Sequence, residues 1–153
     1  MNPSTDRIVS EILLKAPQAR VWRALTNVDE FGRWFGVDLT GQTFAAGGSV
    51  KGRILHPAYA HVIFDIDIER MEPPRYLSWR WHPAAIERGV DYSKEPRTLV
   101  EFELKEVAGG TQLRVVESGF DQVPLARRAE AFRMNSGGWA AQVKNIEKHV
   151  ATP

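Results

Sequence analysis

The chain has 153 residues, 20 basic against 19 acidic for a net charge of +1, and no cysteine. At this length one domain spanning 1–153 is expected, with a single core that buries roughly 68–70% of the unfolded surface, and the scattered charge argues against nucleic acid, which needs a concentrated basic face. The missing cysteine excludes disulfides, thiolate metal sites and a cysteine nucleophile; no window approaches the ~20 apolar residues of a membrane span, and the first six residues lack a signal-peptide pattern, so a cytoplasmic protein with a flexible segment at 1–6 is expected.

Residues 7–15 predict a first strand, with Ile8, Ile12 and Leu14 on one face. Ala16 and Pro17 start a helix, because a proline in its first position has no amide to leave unbonded. Val21, Leu25 and Val28 form the buried edge of that helix, with Trp22 beside them. Asn27 or Asp29 caps a second short helix, where Phe31, Trp34 and Phe35 stand at i, i+3 and i+4. After a turn at Gly47 and Gly48, Val50, Gly52 and Ile54 alternate along a strand. Val62, Phe64, Ile66 and Ile68 alternate with Ile63, Asp65, Asp67 and Glu69, the period-2 signature of a half-buried antiparallel strand.

Pro73 and Pro74 close that strand, and the next, at 76–82, places Leu77, Trp79 and Trp81 on one face. Residues 83–96 show no periodicity and predict a long loop, expected to cover one mouth of a pocket and to move more than the strands it joins. Val100, Phe102 and Leu104 alternate with Glu101, Glu103 and Lys105 up to a hairpin turn at Gly109 and Gly110. Leu113, Val115 and Glu117 share one face of the last strand. Leu125, Ala129, Phe132, Ser136, Trp139, Val143, Ile146 and Val150 then recur at alternating steps of four and three, one stripe along a helix of about seven turns. No other helix matches its length. It must therefore lie on the sheet, which is expected to be antiparallel throughout, with Phe132, Trp139, Val143 and Ile146 turned inward. The fold class is α+β.

Candidate chemistry is sparse. Glu117 faces inward by period-2 counting, and a carboxylate beside an apolar cavity needs a partner or becomes protonated. It is expected to anchor a ligand's polar group or act as a base; the alternative is a structural contact with Ser118, backbone or an arginine. Trp79, Trp81 and Trp139 supply flat apolar walls with one N–H donor each, whereas Trp22 reads as ordinary core. Gly137 and Gly138 are unexpected in a helical stripe, since each costs ~1 kcal/mol relative to alanine; close sheet contact, a kink or room for a ligand would account for them. Gly47 and Gly52 have phosphate-loop separation, but Arg53 and Ile54 follow where Lys and Ser or Thr should stand. His56, His61, His82 and His149 do not form a zinc pattern, Asp65, Asp67 and Glu69 lack the turn glycine of a calcium loop, and no Gly-x-Ser-x-Gly elbow occurs. Neither a metal nor a cofactor is expected.

Several short pieces in this order resemble the START-like superfamily of helix-grip proteins, and within it the bacterial branch similar to Hsp90 ATPase activators. They are Ala16-Pro17 with Val21-Trp22, Arg33-Trp34-Phe35, Pro74 to Trp79, Gly110-Thr111 with Leu113, Glu117 to Phe120, and Asn135 with Gly138-Trp139. The resemblance spans roughly 7–150. It implies a curved antiparallel sheet gripping the C-terminal helix around an apolar cavity, and it fixes no single activity. With the strand order it implies, the expected ligand-binding residues are Trp34, Phe35, Ile54, Phe64, Trp79, Trp81, Phe102, Glu117, Phe132, Ser136 and Trp139. A small hydrophobic or amphipathic molecule is the expected partner, bound by a monomer or homodimer. A protein-interaction or chaperone-cofactor role is the second expectation, set lower because the sequence holds no counterpart of the separate N-terminal domain of full-length eukaryotic activators. A cyclase, dehydratase or hydrolase using Glu117 comes third.

Overall fold

A computed structural model of the chain describes residues 5–151. Eight residues of alternating burial form β1 (Arg7–Leu14), followed by α1 (Gln18–Thr26) and α2 (Val28–Phe35). Pro17 stands one position earlier than expected, as the N-cap of α1, where its carbonyl accepts from the amides of Arg20 and Val21. Asn27 caps α2 as expected: its Oδ1 accepts from the amides of Asp29 and Glu30, both at 3.1 Å. Gly36 ends α2 in the left-handed region at φ 90°, which turns the chain into β2 (Val37–Asp38), a two-residue strand that periodicity could not announce.

The remaining strands are β3 (Ser49–Ile54), β4 (Ile63–Glu72), β5 (Tyr76–Trp81), β6 (Thr98–Val107) and β7 (Gly110–Ser118), and the chain closes with α3 (Leu125–Val150). All pairings are antiparallel, in the spatial order β1-β7-β6-β5-β4-β3-β2. Gly52 is required by a close approach, because a Cβ there would lie 2.0 Å from the carbonyl oxygen of Asp38 on β2. Phe64, Ile66, Ile68, Leu77, Trp79, Val100, Phe102, Leu113 and Val115 all point into the core, as their alternation requires. The result is an α+β helix-grip: a curved seven-stranded sheet with α3 on its concave face and α1 and α2 packed beside it.

On α3 the apolar stripe holds over its second half, where Trp139, Val143, Ile146 and Val150 are buried. Its first half departs from expectation. Leu125 is 80% exposed and Ala129 is exposed, while Ala131 is buried and Phe132 half-buried against Phe120. A four-three repeat drifts by about 20° per heptad around a straight helix, so a stripe extrapolated two heptads back from Trp139 leaves the sheet. Of the segment expected to be flexible, residues 1–4 lie outside the described residues, whereas the Thr5 hydroxyl donates to Asp121 and the Asp6 carbonyl accepts from the Phe120 amide. No helix among the described residues is long and apolar enough to cross a membrane.

Candidate functional site

A cavity of about 900 Å³ opens between the end of α2, the β3–β4 connection, the β5–β6 loop and one flank of α3. That volume is within the range of small-molecule sites. Trp34, Phe35, Ile54, Phe64 and Trp81 line it, with Val62 beside them. Phe35 lies 4.9 Å from Phe64 and 6.1 Å from Trp81, and Phe64 6.0 Å from Trp81, all edge-on between ring centroids. The Trp34 indole is held by a 2.8 Å bond from Nε1 to the Ala24 carbonyl, so the floor is built of rings that have little freedom to turn.

Trp79, Phe102, Trp139, Glu117, Phe132 and Ser136 are not part of this lining. Trp79, Phe102 and Trp139 continue the aromatic array behind Trp81, into the core, where each is at most 3% exposed. The expectation that they wall the cavity is corrected, because α3 covers the middle of the sheet, where these residues lie, and this cavity opens at its end. Glu117 does point inward, but it is fully enclosed rather than facing the cavity. Its Oε2 accepts from Trp81 Nε1 at 2.8 Å and Thr98 Oγ1 at 2.5 Å, its Oε1 from Trp139 Nε1 at 2.8 Å, and Asn135 Nδ2 reaches both oxygens at 2.9 and 3.1 Å. All four partners are neutral. Burial raises the Glu117 pKa above the ordinary 4.5, and the bonds from Thr98, Trp81, Trp139 and Asn135 only partly oppose it. The carboxylate thus ties β7 to β5, β6 and α3.

The α3 wall consists of Met134, Gly138, Gln142, Asn145 and His149, with Lys148 at the rim. Apart from Gly138, these positions escaped the sequence reading because they flank the apolar stripe instead of lying in it. A Cβ at Gly137 or Gly138 would meet nothing within 4 Å, so close sheet contact does not account for them, and both lie within the continuous helix α3. Gly138 borders the cavity; Gly137 is exposed away from it. Gly137→Ala is therefore expected to raise stability by about 0.8–1 kcal/mol. Chemical denaturation would show it as a later midpoint at unchanged slope.

His149 is fixed from behind. Its Nε2 lies 2.9 Å from Glu30 Oε1, and Glu30 also receives Arg20 Nη1 and Arg23 Nε at 2.6 Å each, a cluster that joins α1, α2 and α3. Burial pushes the Glu30 carboxyl up, but the bonds from His149, Arg20 and Arg23 together outweigh it and hold the pKa low.

Across the mouth, residues 83–96 form the expected loop without helix or strand, and Ala84, Ala85 and Ile86 reach the cavity. Ala84 adopts φ 52°, a left-handed conformation that costs energy for a residue with a Cβ. Arg127 on α3 pins the loop's two ends, pairing with Glu95, donating to the Pro83 carbonyl at 2.8 Å and lying over the Tyr92 ring. Amide exchange at 84–94 is expected to outpace that of β4, and Arg127→Ala to quicken it further. Protection in the loop equal to that of Phe64–Ile68 would contradict this.

Comparison with known proteins follows the fold. The chain resembles protein MLL2253 from Mesorhizobium loti, at 23% identity and TM-score 0.73 over 95% of this chain and 96% of that one. It also resembles CalU16 from Micromonospora echinospora, at 24% identity and TM-score 0.64 over 95% and 76%. A third likeness is to DynU16, described as a putative protein in the dynemicin biosynthetic locus, at 24% identity and TM-score 0.72, where this chain's 98% corresponds to 48% of the other. At these identities the likeness is one of fold. No curated protein matches the chain. Residues 15–151, from the end of β1 through α3, match the family described as activator of Hsp90 ATPase homolog 1-like protein, and the chain belongs to that family.

Proposed function

We propose that the protein binds a small apolar or amphipathic molecule in the cavity between α2, the sheet and α3. The observation that carries this reading is an open cavity of about 900 Å³ whose aromatic floor is held in place by its own ring contacts and by the Trp34 to Ala24 bond. Chemistry at Glu117 has no such support, because the carboxylate sits behind Trp81 with both oxygens occupied. Titration with the neutral dye N-phenyl-1-naphthylamine tests the proposal. Saturable dye emission with quenching of tryptophan is expected, since Trp34 and Trp81 form the wall. A linear, unsaturable response with unchanged tryptophan emission would remove the reading.

A second reading, docking of another protein, draws on the family and on Leu55, Tyr59 and Ile63, which are 51%, 41% and 60% exposed around the β3–β4 connection. It expects Ile63→Ser to abolish binding of a purified Hsp90-type chaperone in calorimetry while leaving dye binding intact. No heat with the wild-type protein would dismiss it.

A further inference from the structure

The cavity's aromatic floor is ringed by a rim of one charge sign. Among the described residues its lining contains no aspartate or glutamate, while Arg33 from the last turn of α2 and Lys148 from the last turn of α3 both stand on it. Neither cation has an ion pair or side-chain hydrogen bond among the described residues. On the outer face around β4, β5 and β6, by comparison, Arg97 pairs with Asp67, Arg80 with Glu69, and Arg70 and Arg75 with Glu72. Cations favour helix C-termini for their own sake, which accounts for each one separately. It does not account for both standing on the rim of one apolar opening whose lining holds no carboxylate.

The lining histidines do not offset this. His149 is already engaged with Glu30, whose charge is shared with Arg20 and Arg23, and His82 Nε2 bonds to the Glu95 carbonyl at 3.0 Å. His56 accepts the Ala58 amide on Nδ1 at 3.1 Å, so its proton lies on Nε2 and it too presents a donor. Deeper in, Phe35, Phe64 and Trp81 offer only ring faces and edges. A molecule that fills the site must be apolar at one end, and an acceptor or anion at the other is what the rim would reward.

We infer that the cavity selects amphipathic anions, carboxylates above all, with the apolar part on Phe35, Phe64 and Trp81 and the charged head between Arg33 and Lys148. This inference rests on the proposed cavity-binding function and adds to it the class of ligand. Two cations on a partly screened rim are expected to favour a carboxylate over the matching alcohol by about tenfold at low ionic strength.

The test is displacement of N-phenyl-1-naphthylamine by decanoate, decanol and decylammonium, all below micellar concentration, in the wild type and in the double variant Arg33→Gln, Lys148→Gln. Both positions are exposed, so the variant is expected to fold, and an unchanged melting curve checks that. The expected result is displacement in the order decanoate, decanol, decylammonium. In the double variant decanoate should fall to the level of decanol, with decanol unmoved. Equal displacement by decanoate and decanol in the wild type, or a preference that survives the double substitution, would overturn the selectivity while leaving the cavity a binding site. If neither the dye nor any of the three binds, the cavity-binding function itself fails, and the selectivity with it.

Discussion

Replacing Glu117 by glutamine is expected to lower the melting temperature by about 2–12 °C at pH 5. The two carboxylate oxygens are each pinned by an indole N–H, Oε1 by Trp139 and Oε2 by Trp81. An indole nitrogen only donates. A glutamine must turn its NH₂ toward one of the two indoles, leaving a buried donor facing a donor, at a cost of about 1–3 kcal/mol. For a chain of this size each kcal/mol moves the melting point by about 2–4 °C. A protonated glutamate avoids the clash by reversing the Thr98 bond: its hydroxyl donates to Thr98 Oγ1 while the same oxygen keeps a lone pair for the Trp81 indole, so glutamine is no mimic of the neutral acid here.

The pH dependence of that difference has a defined sign. Because burial raises the Glu117 pKa, the folded state holds this proton to higher pH than the unfolded chain does. Its contribution to stability is complete below the ordinary 4.5 and is lost as pH rises through the raised folded value. The gap between wild type and Glu117→Gln should therefore narrow as pH rises above the ordinary 4.5 and through the raised folded value. Glu30 and Asp67, both held low, act in the opposite direction, losing stability as pH falls through their lowered values, but they do so equally in both proteins. Thermal melts across that range check the account. A glutamine variant that melts with the wild type but binds ligand more weakly would restore Glu117 as a ligand group.

Gly138→Phe is expected to weaken dye binding at least tenfold without loss of stability. The position is helical and exposed, and a Cβ there enters open space. Long side chains on a helix lean back toward the preceding turn, which here is Met134, another residue of the cavity wall. The ring would occupy the space that a ligand needs. Loss of a helical glycine offsets the cost of covering the aromatic group, so the melting temperature should hold or rise. Binding in Gly138→Phe equal to that of the wild type would place the dye elsewhere.

Much of this architecture is written in local periodicity. The strand faces, the two short helices and the inward direction of Glu117 all follow from which residues alternate, and they survive because one buried face leaves each strand a single register. The partners of Glu117 are another matter. Thr98 and Asn135 join Trp81 and Trp139 only because β7 neighbours β6, β6 neighbours β5, and α3 has one rotation above them. No pattern within a strand carries that information.

Cavity and core also separate along the strands rather than across their faces. Trp79 and Trp81 share a face of β5, yet α3 covers the first and leaves the second at the edge of the opening. On α3 the cavity wall lies one residue ahead of the buried stripe, with Gly138 before Trp139, Gln142 before Val143, Asn145 before Ile146 and His149 before Val150. Of this wall the sequence signals Gly138 alone, through the unexpected pair Gly137 and Gly138, and the open space around its Cβ position is what removes close sheet contact as the reason.

Intermolecular nuclear Overhauser effects between unlabelled decanoate and the methyl groups of isotopically labelled protein locate a bound molecule directly. Contacts from the chain's methylenes to Ile54, Val62, Ile86 and Met134, which share the cavity wall, are the expected result. Contacts confined to Val9 and Leu13, exposed on β1 at the far edge of the sheet, or no contacts at saturating decanoate, would contradict a ligand site in this cavity.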